Sequence, residues 1–251
     1  MPTITCKNCG HHFKGNFCPH CGQSARVEAI GVKYFLHDIP HSVFHIDKGF
    51  AYTFKELLLR PGKTLREYLE GKRVRHFRPF AYVLLMATLY ILITKGLHLI
   101  TIYAGGKMGI KLTFDEGHFY KKYLSVFLFL MVPFVSLTTW LVLIKEKYNY
   151  WEHFLVNTYI TAQLSLLMLL VEIYKCAKIL IFKEAISLTF FWFITGFMFY
   201  IAFVFRNILL PRKEERLKYM FTFIVLCFLL ALVYITGMSF AGVMTPWWGS
   251  R

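Results

Sequence analysis

Pro79-Phe-Ala-Tyr-Val-Leu-Leu-Met-Ala-Thr-Leu-Tyr-Ile-Leu-Ile-Thr-Lys-Gly-Leu-His-Leu-Ile100 is apolar over almost its whole length, with Lys95 and His98 near its far end. A helix rises about 1.5 Å per residue, so a run of this length covers the roughly 30 Å of hydrocarbon in a bilayer. Proline fits the first position of such a helix, where its missing N–H removes no bond. Four more apolar runs follow, at about 122–144, 153–174, 185–208 and 219–241, the second with Pro133 as an expected kink. The fold class expected is an all-α integral membrane protein of about five transmembrane helices, preceded by a small ribbon and amphipathic juxtamembrane helices. The short stretch 176–183 cannot cross and is expected to lie in the interface.

Composition agrees. The chain is 57% hydrophobic and only 17% charged, with a mean hydropathy of +0.49, against about a quarter charged residues in soluble domains. No charged segment followed by an apolar one opens the sequence, so the first span is expected to act as the insertion signal. The net charge is +15, and basic residues cluster before that span. Lys55, Arg60, Lys63, Arg66, Lys72, Arg73, Arg75 and Arg78 precede it, Lys145 and Lys147 follow the second span, and Arg206, Arg212, Lys213, Arg216 and Lys218 follow the fourth. These fall on one side if the N-terminus is cytoplasmic, although lysines at 107, 111, 121, 122, 175, 178 and 183 blunt the bias. The expected location is the cell inner membrane, multi-pass, with Tyr234, Trp247 and Trp248 at the outer interface.

Ahead of the helices, Cys6-Lys-Asn-Cys9-Gly10 and Cys18-Pro-His-Cys21-Gly22 form two Cys-x-x-Cys pairs. Four thiolates at that spacing close a tetrahedral zinc site, leaving no position for water, so the metal is structural rather than catalytic. His11, His12 and His20 could ligate, but four cysteines already complete the set. Such thiols stay reduced in the cytosol. Lys7, Lys14 and Arg26 are too few near the ribbon to favour nucleic acid. Cys176 and Cys227 read as small packing residues.

The domain plan is thus a ribbon at 1–24, a basic amphipathic region at 25–78 and a membrane region at 79–251. Within the middle part, Val27, Ile30, Tyr34, Phe35, Ile39 and Phe44 alternate with polar residues, Pro40 interrupts them, and Gly71 is expected to cap a helix ending near Glu70. His37, His41 and His45 share a spacing of four, compatible with a second metal but more simply the polar face of an interfacial helix broken at Pro40. Lys63, Arg66, Lys72, Arg73, Arg75 and Arg78 are the candidate lipid- or phosphate-binding set, the plainer reading being that they only enforce topology.

The ribbon with its Cys-Gly-Gln ending, Phe54-Lys-Glu-Leu-Leu-Leu-Arg-Pro-Gly62, Tyr68-Leu-Glu-Gly-Lys-Arg73 and Arg78-Pro-Phe80 together resemble the bacterial membrane proteins grouped as domain of unknown function 3667. The resemblance covers about residues 5–95. It implies an integral membrane protein with a cytoplasmic zinc-ribbon head, and no reaction.

Function is read from where the chemistry lies. It concentrates before residue 79, which favours a non-enzymatic protein that docks a cytosolic partner or organises anionic membrane lipids through its ribbon and linker. A transporter component is the alternative, with a path lined by Asn157, Gln163 and Glu172. A third reading, a lipid-modifying enzyme, requires Glu152, His153 and His76 to gather at the cytoplasmic rim.

Overall fold

The computed structural model describes residues 3–36, 49–107, 130, 132–141, 148–182, 200, 203 and 204. The expected fifth span, nearly all of the fourth, most of the second, the His37/His41/His45 set and Cys227 lie outside the described residues.

Four cysteines organise the first segment. Strands β1 (Ile4–Thr5) and β2 (His12–Phe13) pair antiparallel, with Ile4 opposite Phe13. Each Cys-x-x-Cys then turns in the same way. Gly10 N–H donates to the Cys6 carbonyl and Gly22 N–H to the Cys18 carbonyl, both at 2.9 Å. The two glycines have φ of 76° and 77°, a region that a β-carbon disfavours.

Two short helices, α1 (Phe50–Leu59) and α2 (Pro61–Leu69), make the juxtamembrane hairpin. The chain breaks at Arg60, whose φ of −143° is not helical, and Pro61 starts α2 because its missing N–H is not needed there. The far end of α2 carries a Schellman cap. Lys72 N–H reaches the Glu67 carbonyl at 2.9 Å, Gly71 N–H reaches that of Tyr68 at 3.1 Å, and Gly71 sits at φ 103°.

Helix α3 (Pro79–Lys107) opens with a bond from Tyr82 N–H to the Arg78 carbonyl. Its Pro79–Ala104 stretch is long and apolar enough to cross a membrane. Tyr82, Val83, Met86 and Tyr90 are buried, yet the other side, with Leu84, Leu92, Leu99 and Ile100, is equally apolar and exposed. A helix apolar all round is at home in lipid rather than on a soluble surface.

A second apolar helix, α4 (Val132–Leu141), precedes α5 (Tyr150–Phe182). A reciprocal box starts α5: Asn149 Oδ1 accepts from Glu152 N–H at 2.9 Å, and a Glu152 carboxylate oxygen accepts from Asn149 N–H at 2.7 Å. Helix α5 runs unbroken through the expected third span. The stretch 176–183, expected to lie apart in the interface, instead supplies the last turns of this helix as far as Phe182.

Helices α3 and α5 are packed side by side and begin at the same end. Phe35 joins Phe80 to Trp151 and Phe154 near both starts, with ring centroids 5.1 to 5.6 Å apart, and Thr101 donates to the Cys176 sulfur at 3.3 Å further along. That parallel relation is the one the first and third of consecutive spans would have.

The hairpin shares this core. Leu57, Leu65, Tyr68, Phe77, Tyr82, Leu155 and Tyr159 belong to one buried cluster. Thr53 Oγ1 accepts the Phe77 N–H at 2.7 Å, and the Tyr159 hydroxyl donates to the Phe77 carbonyl. Both backbone groups of Phe77, buried just before the helix, are therefore satisfied.

Candidate metal centre and the cleft beside it

The folded ribbon gathers what its sequence separates. The ligand atoms of Cys6, Cys9, Cys18 and Cys21 lie within 4.8 Å of one another, with Cys6–Cys21 sulfurs 3.5 Å apart and Cys9–Cys18 sulfurs 3.6 Å apart. A tetrahedral ion about 2.3 Å from each sulfur would set them about 3.8 Å apart. All four are free thiols. The donor set therefore fits one metal ion of thiolate preference, as the knuckle spacing predicts.

Protons are shared unevenly in this cluster. Burial pushes the Cys21 thiol up, but the Gln23 backbone, Asn8 and the Cys6 and Cys9 thiols outweigh it and bring it down to about 6. The His11 backbone favours the Cys9 thiolate, yet desolvation and the thiols of Cys21, Cys18 and Cys6 push that group up to about 12. Four thiolates cannot be held so close without a cation among them.

The ribbon does not hang free. Gln23 Nε2 donates to the Gly71 carbonyl at 3.3 Å. Arg73 lies between two rings, its guanidinium 5.0 Å from Tyr34 and 5.3 Å from Tyr68, and donates to the carbonyls of Glu28 at 2.9 Å and Tyr68 at 3.3 Å. The Tyr34 and Tyr68 hydroxyls bond to each other at 2.7 Å. Gly71-Lys-Arg73 is thus a clamp that seats the ribbon on the hairpin.

Gly71 tolerates nothing larger. A β-carbon there would meet the Lys7 side chain at 3.0 Å and Val27 at 3.1 Å, in a backbone conformation that L-residues avoid. Gly71→Ala should lower the unfolding free energy by about 2 kcal/mol, read in a denaturant titration in detergent. An unchanged midpoint would show that the seat is dispensable.

Between the ribbon and the loop after α2 lies a polar cleft of about 490 Å³, lined by Cys9, His20, Cys21, Tyr52, Glu67, Lys72, Arg75 and His76 among others. His76 closes its floor, only 8% exposed, with Tyr52 5.3 Å and Tyr68 5.7 Å from its ring. Burial holds the His76 imidazole below its usual range despite the Glu67 and Glu56 charges, so it is neutral at physiological pH.

The six basic candidates divide by role. Lys63 is exposed on α2, Arg66 is half-buried in its last turn, and Arg78 is half-buried at the start of α3. Arg73 is the clamp. Lys72 faces the cleft, 3.6 Å from Glu67, and Arg75 faces it with no ion pair among the described residues. Tyr52, Glu67 and His76 were not singled out with this cleft by sequence. Their signal is faint: they lie on three separate elements, joined only by the fold.

The membrane candidates are held separately, and the buried Asn157 Oδ1 and Gln163 Oε1 have no hydrogen-bond partner among the described residues. Asn157 Nδ2 donates to Thr139 Oγ1 at 3.0 Å, Ser136 Oγ at 3.3 Å and the His153 carbonyl at 2.9 Å. Gln163 Nε2 donates to the Tyr82 hydroxyl at 2.9 Å, and Glu172 pairs with Lys175 at 2.8 Å. The bonds to Ser136, Thr139 and Tyr82 tie helices together, the Glu172 pair lies within α5, and the three do not meet on a shared group. Glu152 is committed to the start of α5, His153 is buried in that helix, and His76 lies in the cleft.

A mostly helical chain with four clustered thiols able to hold a metal ion and a helix able to cross a membrane is the class these features define. Residues 47–91 match the sequence model of the family described as "Protein of unknown function (DUF3667)", which bears out the resemblance over α1, α2, the clamp loop and the first half of α3. The four cysteines lie outside the matched residues. Comparison with curated proteins and with solved structures finds no match.

Proposed function

We propose that the protein is a non-enzymatic, five-span inner-membrane protein that organises anionic lipid through a cytoplasmic, zinc-bearing head. The observation that carries this reading is the seat made by Gln23, Gly71 and Arg73, which holds the ribbon against the hairpin that leads directly into Pro79. A ribbon fixed there presents a defined basic surface at headgroup level instead of a mobile tail. Residues 3–36 and 49–78 carry twelve lysines and arginines against four glutamates, so the surface stays positive even with a doubly negative zinc tetrathiolate. Each cation near an anionic surface contributes about 1 kcal/mol.

Zinc is the ion proposed because it accepts four thiolates without redox change. Lys72, Arg75 and the neighbouring residues do the binding. The test is to extract the full-length chain from membranes in mild detergent and compare its retained phospholipid with the bulk. Anionic lipid should be enriched several-fold. A retained composition equal to the bulk would overturn the lipid reading and leave a cytosolic protein as the occupant of the same surface.

A further inference from the structure

We propose that the cleft between the second metal knuckle and the 72–76 loop is the binding site for one phosphate group of an anionic phospholipid headgroup. This rests on the lipid reading above and assigns it an address.

Three observations converge. The cleft holds about 490 Å³, ample for a phosphodiester and its glycerol. Its loop wall supplies Arg75 and Lys72, and Arg75 has no partner among the described residues. An arginine fork pairs with two phosphate oxygens at once, which makes Arg75 the principal contact. The Tyr52 hydroxyl and the His76 ring line the same space and have no hydrogen-bond partner among the described residues, so each can donate to a phosphate oxygen.

Position selects a lipid over free phosphate. The loop ends at Pro79, the first residue of the helix able to cross a membrane, so Arg75 and His76 stand within one helical turn's worth of chain of the hydrocarbon boundary. Between the two arginines of the loop, Val74 is 44% exposed and also lines the cleft. An apolar side chain at the lip of a basic cleft suits entry into the interface beside a headgroup. Glu67, paired with Lys72 at 3.6 Å, and the thiols of Cys9 and Cys21 also line the cleft, so the anion is expected against Arg75.

The experiment uses the zinc-loaded full chain in a neutral detergent. Binding of short-chain phosphatidylglycerol, short-chain phosphatidylcholine and inorganic phosphate is measured by native mass spectrometry or calorimetry. Arg75→Gln should weaken phosphatidylglycerol about fivefold and Lys72→Gln with Arg75→Gln about thirtyfold, while Lys55→Gln, an equal charge loss on the exposed side of α1, changes it less than twofold. Arg75→Lys should recover part of the loss. Metal content and thermal midpoint of each variant show whether it is folded, and Arg75→Gln, at a side chain with no partner among the described residues, should leave both unchanged.

If Arg75→Gln and Lys55→Gln weaken binding alike, the charge is diffuse and the cleft assignment fails while the lipid reading survives. Should wild-type protein bind both lipids equally, the lipid reading itself fails. Inorganic phosphate binding as tightly as phosphatidylglycerol would overturn the lipid source.

Discussion

Serine at Cys18 is expected to leave the purified full-length chain with less than a tenth of an equivalent of metal, against about one for the wild type. Cys18 is almost fully buried in the thiol cluster, and the ribbon's own apolar core is only Cys6, Phe13 and Cys18 with a few flanking residues. So small a core cannot fold unaided, and metal contributes on the order of 10 kcal/mol to such sites. A weaker oxygen ligand in place of one thiolate forfeits most of it. Limited proteolysis should then cut the chain within residues 3–30 while the helices stay protected. Binding also requires the four thiols to lose their protons, so acidification should release the ion and a chelator should reproduce the variant. A Cys18→Ser protein that keeps its metal and its protected head would refute the assignment of the four sulfurs.

The second large effect belongs to Arg73. Its guanidinium is stacked between Tyr34 and Tyr68 and donates to two carbonyls, one of them 45 residues earlier in the chain. Two ring contacts at about 0.5–1 kcal/mol each and charged hydrogen bonds at about 1.5–3 kcal/mol make Arg73→Ala worth roughly 3 kcal/mol. The readout separates a clamp from a lipid ligand. Arg73→Ala should expose the ribbon to protease with its metal still bound, whereas Arg75→Gln should leave protection untouched. Lysine at 73 restores charge without the planar fork and should rescue only part of the loss. Equal protease patterns for the two variants would show that Arg73 holds nothing.

Much of this architecture could be read before folding was considered. Pro79 and the unbroken apolar run after it specify α3, the Cys-x-x-Cys-Gly repeats specify two equal knuckles, and Gly71 after Leu69-Glu70 specifies the cap. Local patterns encode these features. What escaped depends on distance along the chain. Lys72, Arg73 and Arg75 are one basic cluster in sequence, yet only contacts with Tyr34, Glu28 and the knuckle divide them into clamp and cleft. Asn157 and Gln163 suggested a path because polar groups in an apolar run stand out, but their partners Ser136, Thr139 and Tyr82 are invisible to periodicity, whereas Glu172 and Lys175, three residues apart on one helix, are a legible pair. Glu152, a catalytic candidate by sequence, has a local role instead: Asn149-x-x-Glu152 before an apolar helix is itself a start signal.

The wall that Phe77, Tyr68 and Leu65 share with Tyr159 and Leu155 has a bearing on handling the molecule. Scissors placed at residue 78 would expose a greasy half-joint, since the hairpin's inner surface is completed by a helix that starts seventy residues later. A severed head should clump or stick to vesicles of any composition, and such stickiness would say nothing about headgroup choice.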